Sequence, residues 1–283
     1  MSRLIKILTL AIALSVAIFA ESYAQHTIAI TGGTGYATAR PYPAQEMKPI
    51  WGTYQAGFSW RYYSMPRFIA CIGIDVELLQ RGFAFAPYPH FYENKKDYKY
   101  YKRTINSIMV PIVWQPHFYL FKKHLRIYLE AAPTFSYNFA SKFYNEEEYI
   151  YALTEDGTVL PYEAIKKGKY DFRLDRDNRF SFGLCGGGGF DLIFGQLEFG
   201  VRVRYDFGYS DILRNRNKYY SNNLDGVQKP GENPFYYTPL RSPLDNLTIS
   251  MKLGFRIGKA GFKEWDWKRP AFPKNKEVFK YTF

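Results

Sequence analysis

The chain is poor in the residues that most often carry chemistry. Its 283 residues include two cysteines, Cys71 and Cys185, too few for a disulfide framework. The four histidines, His26, His90, His117 and His124, form no metal-ligand spacing with them. Acidic residues are in deficit, 26 against 38 Lys and Arg, for a formal net charge of +12. Past residue 24 there is no run of ~20 apolar residues, which excludes an α-helical span from the mature chain. No tandem repeat of ~20–50 residues is found, so a repeat architecture is excluded too. The glycines at 186–189 lack the Lys-Ser/Thr and the helix of a phosphate loop, and read as relief of crowding or a bend in a strand. No cofactor motif is present.

What is present begins with an export signal. Arg3 and Lys6 form a positive n-region, Ile7 to Phe19 an apolar core, and Ser22-Tyr23-Ala24 a small-x-small cleavage site. An uncleaved anchor is the alternative, but the run is short for one. Cleavage after Ala24 is expected, and no Cys follows the apolar core to carry a lipid. Removing 24 of 283 residues leaves 259, and losing Arg3, Lys6 and Glu21 takes the charge from +12 to +11. An exported basic chain meets anions first in the lipid phosphates of an outer leaflet. Outer-membrane lipids and lipopolysaccharide are therefore the expected partners, and nucleic acid is not.

The clearest pattern lies in residues 178–210, two β-segments joined by the turn Gly195-Gln196. On the first arm Phe180, Phe182, Leu184, Phe190, Leu192 and Phe194 share one face, and on the second Leu197, Phe199, Val201, Val203, Tyr205 and Phe207 do. Side chains alternate across a strand, so this is a period-2 signal of roughly ten residues per arm, twice the usual length of a soluble strand. Strands that cross a bilayer at a tilt need that length. Six more segments follow the same logic, over residues 27–36, 53–63, 68–78, 106–120, 125–139 and 247–257. The second of these is clean. The third loses phase near Leu79-Gln80, where a bulge is expected, and Pro111 and Pro116 predict local irregularity in the fourth.

Short turns at 64–67, 121–124 and 195–196 alternate strictly with long connections at 37–50, 86–103, 140–177 and 211–246. Outer-membrane barrels have short periplasmic turns and long surface loops. The expected fold is all-β: an eight-stranded antiparallel transmembrane up-and-down barrel over residues 25–258. It would be followed by a basic, aromatic periplasmic tail, 259–283. An aromatic content of 19% suits the girdles of such a barrel.

Alternation alone does not say which face is inside. The polar faces carry Gly57, Gly73, Gly183, Gly187, Gly189, Gly200 and Gly254, as a narrow lumen requires. Their cations are Arg61, Arg126, Arg179, Arg202, Arg204 and Arg256, with Lys252 the lone lysine, and their acids are Asp75, Glu77, Glu130, Asp191, Glu198 and Asp206. Arginine suits buried bidentate pairing, whereas solvated surfaces take lysine freely. Near-cancelling charge points the same way. These residues are expected to fill and plug the lumen as a structural network, leaving no channel.

The signal peptide, the Gly-rich first strand, the stretch from Ile74-Asp75-Val76-Glu77-Leu78 to Gly82, the Val110-Pro111-Ile112 strand and the Gly-rich sixth strand resemble the PorT-type outer-membrane β-barrels of Bacteroidota. The resemblance runs from about Gln25 to Gly258. It implies eight strands and a short periplasmic N-terminus. Some members belong to type IX secretion or gliding machinery, so a link to protein secretion is an expectation of the resemblance. The long connections 140–177 and 211–246 and the tail depart from the family pattern.

No catalytic residue, metal ligand or cofactor is assigned. Ser107 and His117 share a strand but lie about 33 Å apart, too far for a nucleophile and its base, and lumenal His117 reads as a hydrogen-bonded filler. Asp175, Asp177 and Asp211 read as solvated loop charges, and Cys71 and Cys185 as free, buried thiols. Tyrosines interleaved with lysines at 86–103 could stack on nucleic acid or sugars, but a headgroup-level girdle on outer-leaflet phosphates is the expectation. The tail carries seven Lys/Arg and three acids with aromatics out to Phe283. It is either a dock for a periplasmic or secretion-system partner or an extension. The expected role is non-enzymatic, an envelope interaction or structural function. A lipid A hydrolase or protease, or a small pore, is the alternative.

Overall fold

The computed structural model describes residues 25–42, 44–63, 70–86, 93–146, 148–153, 159–163, 166–172, 174, 177–214 and 241–257. The expected export signal at 1–24, His90, Asp175, the turn at 64–67 and the tail from 259 lie outside the described residues. Eight long strands form the body: β1 (Gln25–Ala39), β2 (Ile50–Tyr63), β3 (Ala70–Phe85), β4 (Tyr101–Leu120), β5 (Leu125–Asn145), β6 (Phe180–Phe194), β7 (Leu197–Asp211) and β8 (Pro243–Ile257). Each pairs antiparallel with the next, and β8 returns to pair with β1, so the sheet closes as an up-and-down barrel. Four shorter strands ride on it or beside it. Met47–Lys48 pairs with the end of β3, Lys167–Lys169 pairs with β5, and Tyr149–Leu153 pairs with Val159–Glu163.

Exposure settles the orientation that alternation left open. Phe58 is 66% exposed and Leu129 67%, whereas Asp75 and Arg126 are fully buried. The apolar face is outside and the charged face inside, the reverse of a soluble barrel. An apolar belt of this kind is stable only against lipid.

The short connections gather at one end with the start of β1 and the end of β8. His26 stands opposite Ile257, and the Arg256 N–H donates to the Gln196 carbonyl at 2.8 Å. Gly195 opens its two-residue turn at φ 60°, where a primed hairpin favours glycine. The β4–β5 turn has no glycine, and Phe121, Lys122 and Lys123 all take positive φ there.

The other ends depart from expectation. β4 starts at Tyr101 rather than Asn106, β5 runs on to Asn145, and β8 begins at Pro243 rather than Leu247. Both prolines are accommodated, and β4 keeps one register with β5 from Ser107 to Leu120. No bulge shows at Leu79-Gln80 against β4, with which β3 holds a constant register through it, whereas the pairing of β3 with β2 ends at Leu79. What changes there is polarity. Below it the lumen side carries Cys71, Asp75 and Glu77, and above it Leu79, Phe83 and Phe85, all buried. The register shifts lie instead at Gly35/Tyr36, Asn106/Ser107 and between Phe207 and Asp211.

Inversion of polarity builds a cap over the outer mouth. Phe83, Phe85, Tyr101, Ile105, Phe143 and Leu244 form an apolar cluster with Tyr170, Ile212 and Leu213 from the connections above. The lower lumen is packed by fitting large side chains against glycine. Tyr128 stands opposite Gly189, and a Cβ on Gly189 would strike the Val201 carbonyl oxygen and lie 2.7 Å from the Tyr128 hydroxyl. Gly189→Val should therefore cost at least about 3 kcal/mol, beyond ordinary overpacking, because backbone is in the way. The measurement is the urea midpoint of the detergent-folded barrel, and a midpoint equal to wild type would disprove the fit.

Candidate functional site

The lumen holds two ion clusters at different heights. In the middle, three arginines converge on three acids. Arg61 of β2 pairs with both Asp75 oxygens, through Nη1 to Oδ1 and through Nη2 to Oδ2 at 3.1 Å. Arg202 of β7 donates to the same carboxylate at 3.1 Å and to Glu77 at 2.6 Å. Arg204 reaches Asp75 at 2.9 Å, Glu77 at 3.0 Å and Glu130 at 2.6 Å. Asp75 thus accepts from three guanidinium groups brought from opposite walls. Alternation puts Asp75 and Glu77 on one face of β3, and Arg202 and Arg204 on the facing side of β7, so the pairs meet across the bore.

Nearer the short-turn end, Arg126 donates to Asp191 and to Glu198, each at 2.6 Å. Lys252 lies 2.7 Å from Asp191 and 3.7 Å from Glu198, and Arg256 closes on Glu198 at 3.3 Å. Tyr63 covers Arg126, whose guanidinium carbon is 5.0 Å from the ring centroid.

Two of the expected lumen residues stand apart. Asp206 is buried, but neither carboxylate oxygen has a hydrogen-bond partner, and it shares with Arg81 a cavity of about 10 Å³, room for about one water. Arg179 leaves the lumen. It precedes the first residue of β6, and its Nη1 donates to the hydroxyl of outward-facing Tyr137 at 3.2 Å. Nothing in the alternation marked that reversal, because Arg179 lies just before the strand begins.

Three charged residues are buried where solvated loop or unassigned positions were expected. Arg103 is a lumen residue of β4, with its guanidinium 3.3 Å over the Tyr170 ring and 3.7 Å from Asp177. Asp177 is fully buried and accepts from the Tyr170 hydroxyl at 2.9 Å, so it is not a solvated loop charge. Arg81 donates to Ser181 at 3.1 Å. A period-2 pattern extended past the inversion at Leu79 would have put Arg81 and Arg103 inside.

The residues that could do chemistry are occupied with structure. The His117 ring nitrogen meets the Gln115 carbonyl at 3.2 Å, that of His124 meets the Ile193 carbonyl at 3.3 Å, and Ser107 donates to Asn138 at 2.6 Å. Cys71 and Cys185 are free and buried. Among the described residues no three His, Cys, Asp or Glu side chains could hold a metal ion. Above the membrane, Lys95 donates to Glu46 at 2.8 Å, and that bond with its charge raises the lysine pKa.

The family model described as "Outer membrane protein beta-barrel domain" matches residues 19–214. The chain belongs to that family. This outer-membrane barrel is similar in structure to Neisserial surface protein A, at 10% identity and a TM-score of 0.37, over 81% of this chain and 97% of that one. It is similar to the N-terminal β-barrel domain of Pseudomonas aeruginosa OprF (9%, 0.32, 83% and 98%). It is also similar to Ail, the attachment invasion locus protein of Yersinia pestis (10%, 0.33, 81% and 99%), solved with the heparin analogue sucrose octasulfate. A search of curated proteins finds no match.

Two of the buried aspartates, Asp75 and Asp206, should respond oppositely to one change. Asp75→Asn strips three guanidinium groups of their shared acceptor and should cost about 3–5 kcal/mol. Asp206→Asn removes a buried charge with no hydrogen-bond partner and should be neutral or stabilising, by up to about 2 kcal/mol. Urea titration of the two folded variants in the same detergent checks both signs.

Proposed function

We propose that this outer-membrane barrel is a non-conducting, non-enzymatic anchor that acts by contact, through its outer surface and its periplasmic end. The observation that carries this reading is the filled lumen. Two ion clusters and an aromatic cap occupy it in series, and the enclosed space beside Asp206 holds about one water. A small pore would need an aqueous path where these side chains stand. The occupied hydroxyl and imidazole groups favour the same reading over a hydrolase.

Membership of the PorT type, with its link to type IX secretion or gliding machinery, is part of the proposal and rests on the sequence resemblance. Cleavage after Ala24 and the docking of a periplasmic or secretion-system partner on the basic, aromatic residues 259–283 are part of it too, and rest on those residues themselves. Outer-leaflet lipids and lipopolysaccharide are the proposed partners on the other side.

Purified protein in planar bilayers should give no conductance steps above the lipid baseline, and a stable single-channel level would refute the sealed reading. Mild solubilisation of outer membranes should recover a stoichiometric partner with the full chain and lose it with a chain ending at Gly258. Recovery of the same partner by both forms would move docking away from the tail.

A further inference from the structure

The outward face of the wall changes chemistry within a short height. Upward along β5 it reads Leu129, Phe135, Tyr137 and Phe139, then Lys142 and Tyr144. Three residues separate Phe139 from Lys142, roughly 10 Å along a tilted strand and about 7–8 Å of height. That is the step from aromatic girdle to headgroup.

Register spreads the change sideways. Lys48 stands opposite Ala84, Ala84 opposite Lys102, Lys102 opposite Tyr144, and Tyr144 opposite Lys167. In the next row Thr104 stands opposite Lys142, and Lys142 opposite Lys169. Paired residues share a face, so five lysines form one outward wall. Like charges placed opposite each other destabilise a sheet, so folding alone does not favour Lys142 beside Lys169. Lysines on edge pieces guard against stray pairing, but Lys102 and Lys142 are in interior strands, where no such guard is needed. The acids nearby are mostly engaged elsewhere. Glu46 holds Lys95, Glu146 accepts from the Tyr100 N–H at 3.0 Å, and Asp171 lies 3.5 Å from Lys169. Among the described residues no carboxylate comes within 4 Å of Lys48, Lys102, Lys142 or Lys167.

Directly below, on the same strands, the wall is hollowed. Ile108, Val110, Phe135, Tyr137, Phe180 and Phe182 line a groove of about 900 Å³ that opens outward. Arg214 also lines it, held by a bond from its Nε to the Asp177 carbonyl at 3.2 Å, and Arg179 lies against Tyr137. The groove is mainly apolar, with Asp211 also in its lining; guanidinium groups stand at its rim, and above it are Lys102, Lys142 and Lys167, free of carboxylate partners among the described residues, with Lys48 over the Tyr100 ring and Lys169 beside Asp171. That combination matches an amphiphile whose head is anionic.

We propose that this face seats one anionic glycolipid of the outer leaflet, an acyl chain in the groove and its phosphate- or carboxylate-bearing sugars against Arg214 and the lysine rows. The site rests on the reading that the barrel acts through its outer surface. Each lysine near an anionic surface adds attraction, and guanidinium at the rim orients phosphate by paired donors.

The test uses the full chain folded in detergent, with fluorescent rough lipopolysaccharide carrying a phosphorylated inner core as probe. A K102Q/K142Q/K169Q variant alters only outward side chains and relieves the Lys142–Lys169 repulsion, so its urea midpoint should be no lower than wild type. Its affinity should fall about a hundredfold, and dephosphorylated probe should bind wild type comparably weakly. Equal affinity of variant and wild type would overturn the site. So would a variant that loses heparin binding but keeps the lipopolysaccharide, since the wall would then serve a soluble polyanion. Phe182→Ser tests the groove separately and should weaken the acylated probe while leaving its deacylated form unchanged; no difference between the two forms would remove the acyl chain from the proposal. A conducting protein would sink the sealed-barrel reading and leave this site standing, so the two failures are distinguishable.

Discussion

Asp75 is the carboxylate on which the rest of the barrel is arranged. Taking an ion out of water costs several kcal/mol even after relaxation, and only good geometry with further hydrogen bonds repays it. One carboxylate accepting from Arg61, Arg202 and Arg204 meets that condition, and it ties β2, β3 and β7 across the bore. Glu77 and Glu130 balance the extra guanidinium charge, so the cluster carries three cations and three acids. The wall is a closed ladder, but a ladder alone fixes neither the cross-section nor the contents of the bore. Pairs that reach across it do.

The same constraint explains the glycines. Arginine and tyrosine side chains long enough to span the lumen need space at their far ends, and in an eight-stranded barrel that space comes from an absent Cβ. Gly189 opposite Tyr128 is one such place, and Gly57 beside Glu77 another. The lumen-facing glycines of β6, Gly187 and Gly189, are therefore the counterpart of large side chains on β5 and β7 rather than a sign of phosphate binding.

How much of this could be read from sequence depended on the height along the barrel. Within the membrane the two sides of each strand face lipid and lumen, so period 2 is strong. All eight strands and nearly every charged lumen residue were legible there. Above the membrane the outward side meets water and the inward side meets the apolar cap. The polarity of the alternation inverts, as in Lys102, Thr104 and Asn106 outside against Tyr101, Arg103 and Ile105 inside. A reading that follows the apolar face stops at the inversion, so it ends β4 and β5 short, leaves Arg81 and Arg103 unassigned and takes buried Asp177 for a solvated loop charge. The cap itself needs Tyr170 and Leu213 from connections remote in sequence, and no local pattern announces them. Arg179 failed for another reason. It stands one residue before the strand, where alternation no longer decides direction.

The division of cations follows from the same physics at both ends of its range. Inside, a planar fork serves several fixed acceptors at once, as Arg204 does with Asp75, Glu77 and Glu130, and weak hydration lowers the cost of burial. Outside and above the lipid, lysine replaces it: a strongly hydrated point charge on a mobile stem that need not commit to one geometry. Lys252, the one lysine in the lower cluster, is held between Asp191 and Glu198 with its ammonium 5.5 Å from the Tyr128 ring centroid, partners that suit a point charge. Within the bore, cation identity thus follows the acceptors, while arginines such as Arg214 join the lysines outside it. In a barrel whose interior is filled, the available groups are the ones that can meet another molecule.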